Sequence, residues 1–572
     1  MADTPLSDGG TVEPARIEEG GDRTLAGRRR PSLGRSSAIM ASGTAVSRLL
    51  GVARGALLVA AIGVNAPAAN AYDIANKLPN AMFAILAAGV LNAALVPQIV
   101  KAFHGGGGKP VVDRILTLGG VLSLAATAVL TLSAPVWVAV YTHDWSPEMM
   151  ALGTAFAYWC IPQLFFYGLY TLLGQVLNAR EQFGPFMWAP VLNNVVAIAG
   201  LVAFLLTFGP FDEANVLAPE QWTPDMVALI GGVATLGVAS QALILIVPLV
   251  RGGYRWRWRW RGEKGELSTI GKIAGWGLAA VGVEQVAVLV GTMVSSSADP
   301  TGAEDAVAGN AAYFYALSLY LLPHSLVTVS IATALFTSMA RHASAADTPG
   351  LRADLSRGLR NVGVFTVFAT VGMAVLAPYL VRLVLPTAKP GEVTSIAMVL
   401  VAMLLGLVPL GATVLFKRLY FVLEDARAIF FMHIPMALVW MGVAWAFMSF
   451  ADARWWTVGV GLGLAASNWT GVILRAGGLR RRLGGLDGRR VLTVHAKALL
   501  AAVVAGVAGW LLLRLAPPAD ELTGWGGWGV AAAVVGAAGA TMVGLYAAGL
   551  WALRVQEASD AARPLLRRLK RR

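Results

Sequence analysis

From residue 37 almost to the C-terminus, apolar residues run in blocks of about 20–30 separated by short polar stretches. An α-helix needs about 20 residues, at 1.5 Å each, to cross a bilayer core. The blocks predict about fourteen membrane helices, over 37–64, 69–103, 115–141, 148–178, 184–208, 223–250, 268–297, 309–339, 358–385, 392–416, 428–450, 455–475, 493–515 and 526–553. Apolar–polar alternation in runs of about ten, the mark of a membrane β-barrel, is missing. The expected fold class is an all-α polytopic membrane protein.

Charge gives these spans a direction. Arg28, Arg29, Arg30 and Arg35 precede span 1; Lys101, Lys109 and Arg114 follow span 2; six bases between Arg251 and Lys264 follow span 6. Arg341, Arg352, Arg357 and Arg360 follow span 8, Arg480–Arg482, Arg489 and Arg490 follow span 12, and Arg567, Arg568, Lys570, Arg571 and Arg572 end the chain. The intervening loops are neutral or acidic apart from Lys389 and Arg454. The positive-inside rule then puts both termini in the cytoplasm, and an even span count agrees by keeping them on one side. The polar residues 1–36 are read as a disordered cytoplasmic tail and not as a signal peptide.

Composition closes other options. The chain is 57% hydrophobic and 13% charged, with mean hydropathy +0.65, too few charges to cover a soluble fold. Its net charge of +13 would suit nucleic acid. The bases, however, sit in short loops where they meet anionic lipid, so no nucleic-acid partner is expected. Trp256, Trp258 and Trp260 alternate with arginines and read as an interfacial anchor. Cys160 is read as a packing residue, and no Cys/His cluster has metal spacing. Gly105–Lys109 lacks the Ser/Thr of a phosphate loop, and the Gly459, Gly461, Gly463 run suggests close helix packing.

A short match links two turns six spans apart: Leu177-Asn178-Ala179-Arg180 and Leu423-Glu424-Asp425-Ala426-Arg427. Asn178, Arg180, Asp425 and Arg427 are taken as cytoplasmic-turn residues. The spacing suggests two parallel six-helix lobes, 37–250 and 268–475. Basic loops (251–267, 476–492), two further helices (493–553) and a basic tail (554–572) complete the division.

Charges inside spans are costly and face a cavity or a partner. Arg48 and Arg54 lie in span 1 with no acid on the same helix. Facing a cavity, they would bind a multivalent anion such as diphosphate through guanidinium forks; otherwise they pair with carboxylates elsewhere. Ser47, Asn70, Asp73, Asn76, Lys77, Asn80, Gln285 and Ser318 are candidate cavity-lining polar residues. Asp73 and Lys77 are four apart and expected to pair. Glu284 is left with three roles: partner of Arg48 or Arg54, coupling site for Na⁺ or H⁺, or titrating group. At Pro323-His324 a kink with a hydrogen-bonded histidine is preferred over a proton site. No nucleophile–base motif suggests an enzyme, and no cofactor is expected beyond coupling to membrane potential, Na⁺ or H⁺.

Several motifs together resemble the MurJ/MviN lipid II flippase family. They are Ser47-Arg48-x-x-Gly51-x-x-Arg54, Lys77-Leu78-Pro79-Asn80, Val96-Pro97, Gln175 to Pro185 with Ala189-Pro190 and Asn193, Tyr315-Ala316 to Pro323, and Leu419-Tyr420 to Arg427. The resemblance covers about residues 37–475. It implies two lobes around a cationic cavity and alternating access. The cargo implied is undecaprenyl-diphosphate-linked peptidoglycan precursor, moved from inner to outer leaflet for cell-wall synthesis. It also implies substrate-binding roles for Arg48 and Arg54, and expected partners are this lipid-linked glycan, membrane lipids and cell-wall synthesis machinery. The chain departs from the family pattern at Asn70, Phe83, Ala88 and Leu317-Ser318, where charged residues are common. A carrier for another polyprenyl-diphosphate glycan, or a cation-coupled multidrug exporter, are the alternatives.

Overall fold

In a computed structural model, the structure describes residues 33–64, 66–86, 108–180, 182–212, 216–260, 268–298, 307–423 and 425–557. The tail 1–32, residues 87–107 with Ala88 and Val96-Pro97, the acidic loop 299–306 and the basic tail 558–572 lie outside the described residues, as do the side chains of Arg48 and Asn178. Among the described residues there is no strand. The first nine helices are α1 (Leu33–Ile62), α2 (Pro67–Leu86), α3 (Gly108–Leu132), α4 (Ala134–Tyr141), α5 (Pro147–Cys160), α6 (Gln163–Ala179), α7 (Phe183–Phe208), α8 (Pro224–Leu243) and α9 (Ile246–Arg251). After the segment 252–267 come α10 (Ser268–Ser297), α11 (Asn310–Pro323), α12 (Val329–Ser344), α13 (Thr348–Val384), α14 (Pro390–Leu404), α15 (Leu407–Val422), α16 (Ala426–Phe450) and α17 (Trp456–Leu483). Two more, α18 (Gly488–Leu513) and α19 (Gly524–Ala552), complete the chain.

Among the described residues, helices lie at the expected positions, the second of them seen over Pro67–Leu86. Eleven are long and apolar enough to cross a membrane, and α14 with α15, bent by 46°, make a twelfth if counted as one span. The second helix falls short because it carries the polar residues singled out above; in the first, the apolar stretch is Leu49–Ile62. Local chemistry starts the helices where it should. Proline opens α2, α5, α8 and α14, while Ser146 and Thr223 accept from Met149 N and Met226 N.

Three boundaries move. Thr348–Val384 begins ten residues before the expected span, so Arg352, Arg357 and Arg360 sit on α13 and not in a loop. Likewise Trp456–Leu483 carries Arg480–Arg482 on its last turn, and Lys417 lies inside Leu407–Val422. Hydropathy marks the apolar centre of a helix; a helix that continues past the bilayer with polar residues is invisible to it.

In the first half, α1 packs on α7, α7 on α8, α2 on α5 and α3 on α6. In the second, α10 packs on α16, α16 on α17, α11 on α14 and α13 on α15; α18 and α19 pack on each other and on α13. Glycine permits the closest approach. A Cβ on Gly463 would stand 2.8 Å from the Trp440 carbonyl oxygen, and one on Gly459 2.3 Å from the Phe447 ring. The segment after α9 lies along α3: Tyr254 Oη donates to Asp113 (2.7 Å) and Trp256 Nε1 to the Asp113 carbonyl (3.3 Å). Trp256, Trp258 and Trp260 remain about half exposed, as an interfacial anchor would.

The matched turns close alike: Gln182 N donates to Leu177 O and Asp425 N to Tyr420 O. The same closure also ends α9, α12, α17 and α19, at Tyr254, Asp347, Gly485 and Val555. It is therefore the ordinary helix C-cap of this end of the molecule and does not by itself mark a repeat.

Candidate functional site

The two halves meet near the loops that the sequence leaves neutral or acidic. Glu392, 4% exposed, opens α14 and accepts from Val64 N (2.8 Å) in the α1–α2 turn and from Lys389 N (2.9 Å). Trp145 Nε1 donates to Ser296 O (3.1 Å), Ser297 Oγ to His143 O (3.3 Å) and Thr387 Oγ1 to Ala56 O (3.3 Å). Between these lies a buried polar knot. Lys77 Nζ stands 3.2 Å from Asp73 Oδ2, as the i,i+4 spacing predicts. Asn310, fully buried at the start of α11, binds both: its amide donates to Asp73 and its carbonyl oxygen accepts from Lys77. Asn70 Oδ1 accepts from Ala311 N (3.4 Å), and Lys77 rests over the Tyr313 ring at 5.6 Å. Asn70, Asp73 and Lys77 are thus fasteners between the halves, and not the wet wall expected of them. Asn70 is 2% and Asp73 8% exposed.

Arg54 lies about 12 Å along α1 from its end at Ile62, counting 1.5 Å per residue. Its side chain is half-buried. It is within electrostatic reach of the Tyr72, Tyr167 and Tyr315 hydroxyls, which come from α2, α6 and α11. Tyr315 Oη in turn approaches Gly55 O at 3.5 Å. A polar string runs beside it: Tyr167 Oη donates to Gln163 Oε1 (2.9 Å), Gln163 Nε2 to Asn76 Oδ1 (3.1 Å), and Asn80 Nδ2 to Asn76 O (2.8 Å). Asp73, the carboxylate on the neighbouring helix, is already committed to Lys77 and Asn310. Among the described residues Arg54 makes no hydrogen bond or ion pair. An intramembrane guanidinium set among phenols and amides, with its donors unused among the described residues, has the chemistry to donate to phosphoryl oxygens. Ser47, the residue before Arg48, is tied to α7: Asn194 Nδ2 donates to its carbonyl (2.8 Å) and its hydroxyl (3.2 Å).

Glu284 sits elsewhere. It lies near the middle of α10 and lines a pocket of about 170 Å³ with Trp276, Lys417, Phe421 and His433. Lys417 and Arg475 are the cations within its electrostatic reach. Arg475 is 1% exposed and is held by Thr413 O and His433 Nε2, both at 3.4 Å. Of the two arginines of span 1, Arg54, whose side chain is described, is not among the groups facing Glu284. Gln285 makes no polar contact among the described residues, and Ser318 only returns its hydroxyl to Phe314 O (2.9 Å). Pro323 is followed by a π-helical turn, His324–Thr328, in which His324 Nδ1 has no partner. The hydrogen-bonded histidine expected there is not formed at that nitrogen.

The turn residues fasten loops. Arg180 donates to Gly252 O (2.6 Å), and Arg427 stacks over Trp276 and Phe431. Asp425 caps α16 by accepting from Ala428 N (2.8 Å) and pairs with Arg482. Partial burial pushes its pKa up, but the Ala428 amide and Arg482 outweigh this and hold it below the usual carboxylate range. A lowered native pKa contributes stability above the unfolded value that is lost as pH falls through the native one. Asp425→Ala is expected to cost about 1 kcal/mol of stability at neutral pH, the loss of one N-cap. The difference in thermal midpoint from wild type should shrink as the pH falls below the carboxylate range.

Sequence reasoning missed Gln163, Asn310, Glu392, Lys417, His433 and Arg475. Lys417 lay one residue past an expected span and Arg475 was the last residue of another, so neither stood out as a charge inside the membrane. Asn310 carried a signal, as a polar residue at the mouth of span 8. Its partners, however, are over 230 residues away in sequence.

Residues 58–519 match the model of the family described as Lipid II flippase MurJ. A Haemophilus influenzae protein described as "Probable lipid II flippase MurJ" is 26% identical over 358 residues, 58% of this chain and 64% of the relative. The chain thus spans just under two thirds of that relative's length. A Rhizobium meliloti protein of the same description is 26% identical over 434 residues, 72% of this chain and 74% of its own. Among solved structures, a lipid II flippase MurJ in an inward closed conformation superposes with a TM-score of 0.66 at 17% identity, covering 92% of this chain and all of that one. An inward-facing multidrug resistance MATE family transporter of the MOP superfamily gives 0.59 at 15% identity, covering 79% of this chain and 99% of that one. At these identities the structures show a common fold.

Proposed function

The chain belongs to the lipid II flippase MurJ family, and from that premise we propose that it moves lipid-linked peptidoglycan precursor from the inner to the outer leaflet of the bacterial cell membrane. The observation that carries the reading is Arg54: a cation inside the membrane, between the halves, with no partner among the described residues. A diphosphate would supply what it lacks, and Arg48, six residues earlier on the same helix, would add a second guanidinium. With the basic loops cytoplasmic, the knot of Asp73, Lys77 and Asn310 and the Glu392 contact close the outer end. The lipid would then enter from the inner leaflet and its tail stay in the bilayer, and breaking these contacts would open the outward side. The test is rescue of a flippase-depleted bacterium by the wild-type chain. Growth with normal outer-leaflet lipid II supports lipid II as cargo. A well-expressed chain that fails to rescue points to another polyprenyl-diphosphate glycan, the reading favoured by the uncharged residues at Phe83, Leu317 and Ser318.

For Glu284 we propose a role as counter-charge to Lys417 and Arg475 in place of a Na⁺ site. A pocket facing two cations with one carboxylate repels a further cation. Transport by the wild type is expected to be independent of Na⁺. Glu284→Gln should lower transport or membrane level, and Glu284→Gln with Lys417→Met should restore it, since the pair is then removed together. Na⁺-dependent transport that Glu284→Gln abolishes would contradict this role.

A further inference from the structure

Where α18 and α19 meet α13, the molecule carries a second basic site. A concavity of about 480 Å³ is lined by Arg360, Asp487, Arg489, Arg490, Lys497, Arg554 and Glu557, among others. Five of these are cations and two carboxylates. Both carboxylates are engaged: Glu557 pairs with Arg360 in a contact about one-tenth exposed on each side, and Asp487 accepts from Ser356 Oγ at 2.7 Å. Arg489, Arg490, Lys497 and Arg554 have no carboxylate partner among the described residues. Lys497 is held by Leu553 O (2.9 Å) and Arg490 reaches only Gln556 Oε1 (3.4 Å).

A surplus of loop arginines is ordinary on this side of a membrane protein, but three features set this one apart. The arginines surround a hollow and not a convex loop. The N-terminus of α18, a helix of 26 residues, opens there, and the side chain of its N-cap residue Asp487 caps no amide. Its first amides and its dipole therefore add to the positive potential. Two of the four non-glycine residues with positive φ among those described, Asp487 (52°) and Arg554 (54°), line this one site. The backbone is held in a left-handed conformation that costs about 1 kcal/mol per residue while it aims these side chains. Leu492 and Trp551, each within one helical turn in sequence of a lining residue, are 70% and 82% exposed, apolar surface suited to acyl chains.

We propose that this hollow is a binding site for the phosphoryl head group of an anionic membrane lipid, seated on Arg489, Arg490, Arg554 and the start of α18. It is separate from the Arg54 site and independent of what the protein transports. By clamping α18, the end of α19 and α13 together, an occupant would fix the two additional helices to the second half of the molecule.

The full-length protein, purified in dodecyl maltoside, is titrated with dioctanoyl phosphatidylglycerol, dioctanoyl phosphatidylcholine or inorganic pyrophosphate while its thermal midpoint is followed by tryptophan fluorescence. The expected result is a saturable rise with phosphatidylglycerol and none with phosphatidylcholine. Arg490→Gln with Arg554→Gln should need about thirty-fold more lipid for the same rise. Arg554→Gly is the second variant: it relieves the left-handed residue while removing its charge. It should therefore hold or raise the lipid-free midpoint and still weaken the lipid response. A variant-sensitive rise with pyrophosphate alone would keep the phosphoryl site and overturn its assignment to a lipid. Equal responses of wild type and variants, or no response to any of the three, would overturn the site itself.

Discussion

Arg54→Ala is expected to abolish rescue of a flippase-depleted bacterium while leaving the protein at wild-type level in the membrane. The two halves of that expectation have one cause. Arg54 holds no carboxylate or carbonyl among the described residues, so its removal orphans nothing and costs little stability. What it removes is one guanidinium fork for a diphosphate. Charge-assisted hydrogen bonds in a low-dielectric site contribute about 1.5–3 kcal/mol each. Losing two should slow transport on the order of a hundredfold or more. Arg54→Lys keeps the charge and loses the fork, so it should fall between. A drop in membrane level equal to the loss of rescue would mean that Arg54 is structural.

Asp73→Ala acts through the opposite physics. It deletes the carboxylate from a nearly buried knot and leaves Lys77 charged beside Asn310, with nothing to balance it. Removing one partner of a buried ion pair costs about 3–5 kcal/mol. The contact also joins α2 to α11 across the two halves, so the cost falls on the state in which this end is closed. The thermal midpoint and membrane level of Asp73→Ala should both fall. Asp73→Ala with Lys77→Met should recover most of the loss, because the orphaned charge goes with it. A double variant no better than the single would mean that the penalty comes from the Asn310 hydrogen bond and not from the stranded lysine.

Membrane helices are legible in sequence because one local variable, apolarity over about 20 residues, decides them. Over the described residues the apolar blocks coincide with helices, and the Asp73–Lys77 pair was readable from i,i+4 spacing alone. Arg54 was readable for a similar reason: a charge in an apolar run is conspicuous. Contacts between distant segments were not readable. Asn70 looks like a cavity residue until Ala311, 241 positions on, is seen beside it. Glu392 looks like a loop acid until it meets Val64 N. Glu284 was left with three open roles because the cations within its reach, Lys417 and Arg475, sit where hydropathy ended the spans although the helices continue. Polar helix ends, and pairings made only by tertiary packing, leave no periodic trace in a single chain.

The family membership rests on most of the chain, and the cargo reading rests on Arg54. The measurement that joins them is made on spheroplasts of a flippase-depleted strain carrying the wild-type chain, Arg54→Lys or Arg54→Ala at matched membrane levels. Outer-leaflet lipid II is quantified by accessibility to an externally added lipid II-cleaving toxin. The expected result is extensive cleavage with wild type, less with lysine and background with alanine. Background cleavage with a well-expressed wild type, or equal cleavage in all three strains, would contradict the claim that this chain moves lipid II by way of Arg54.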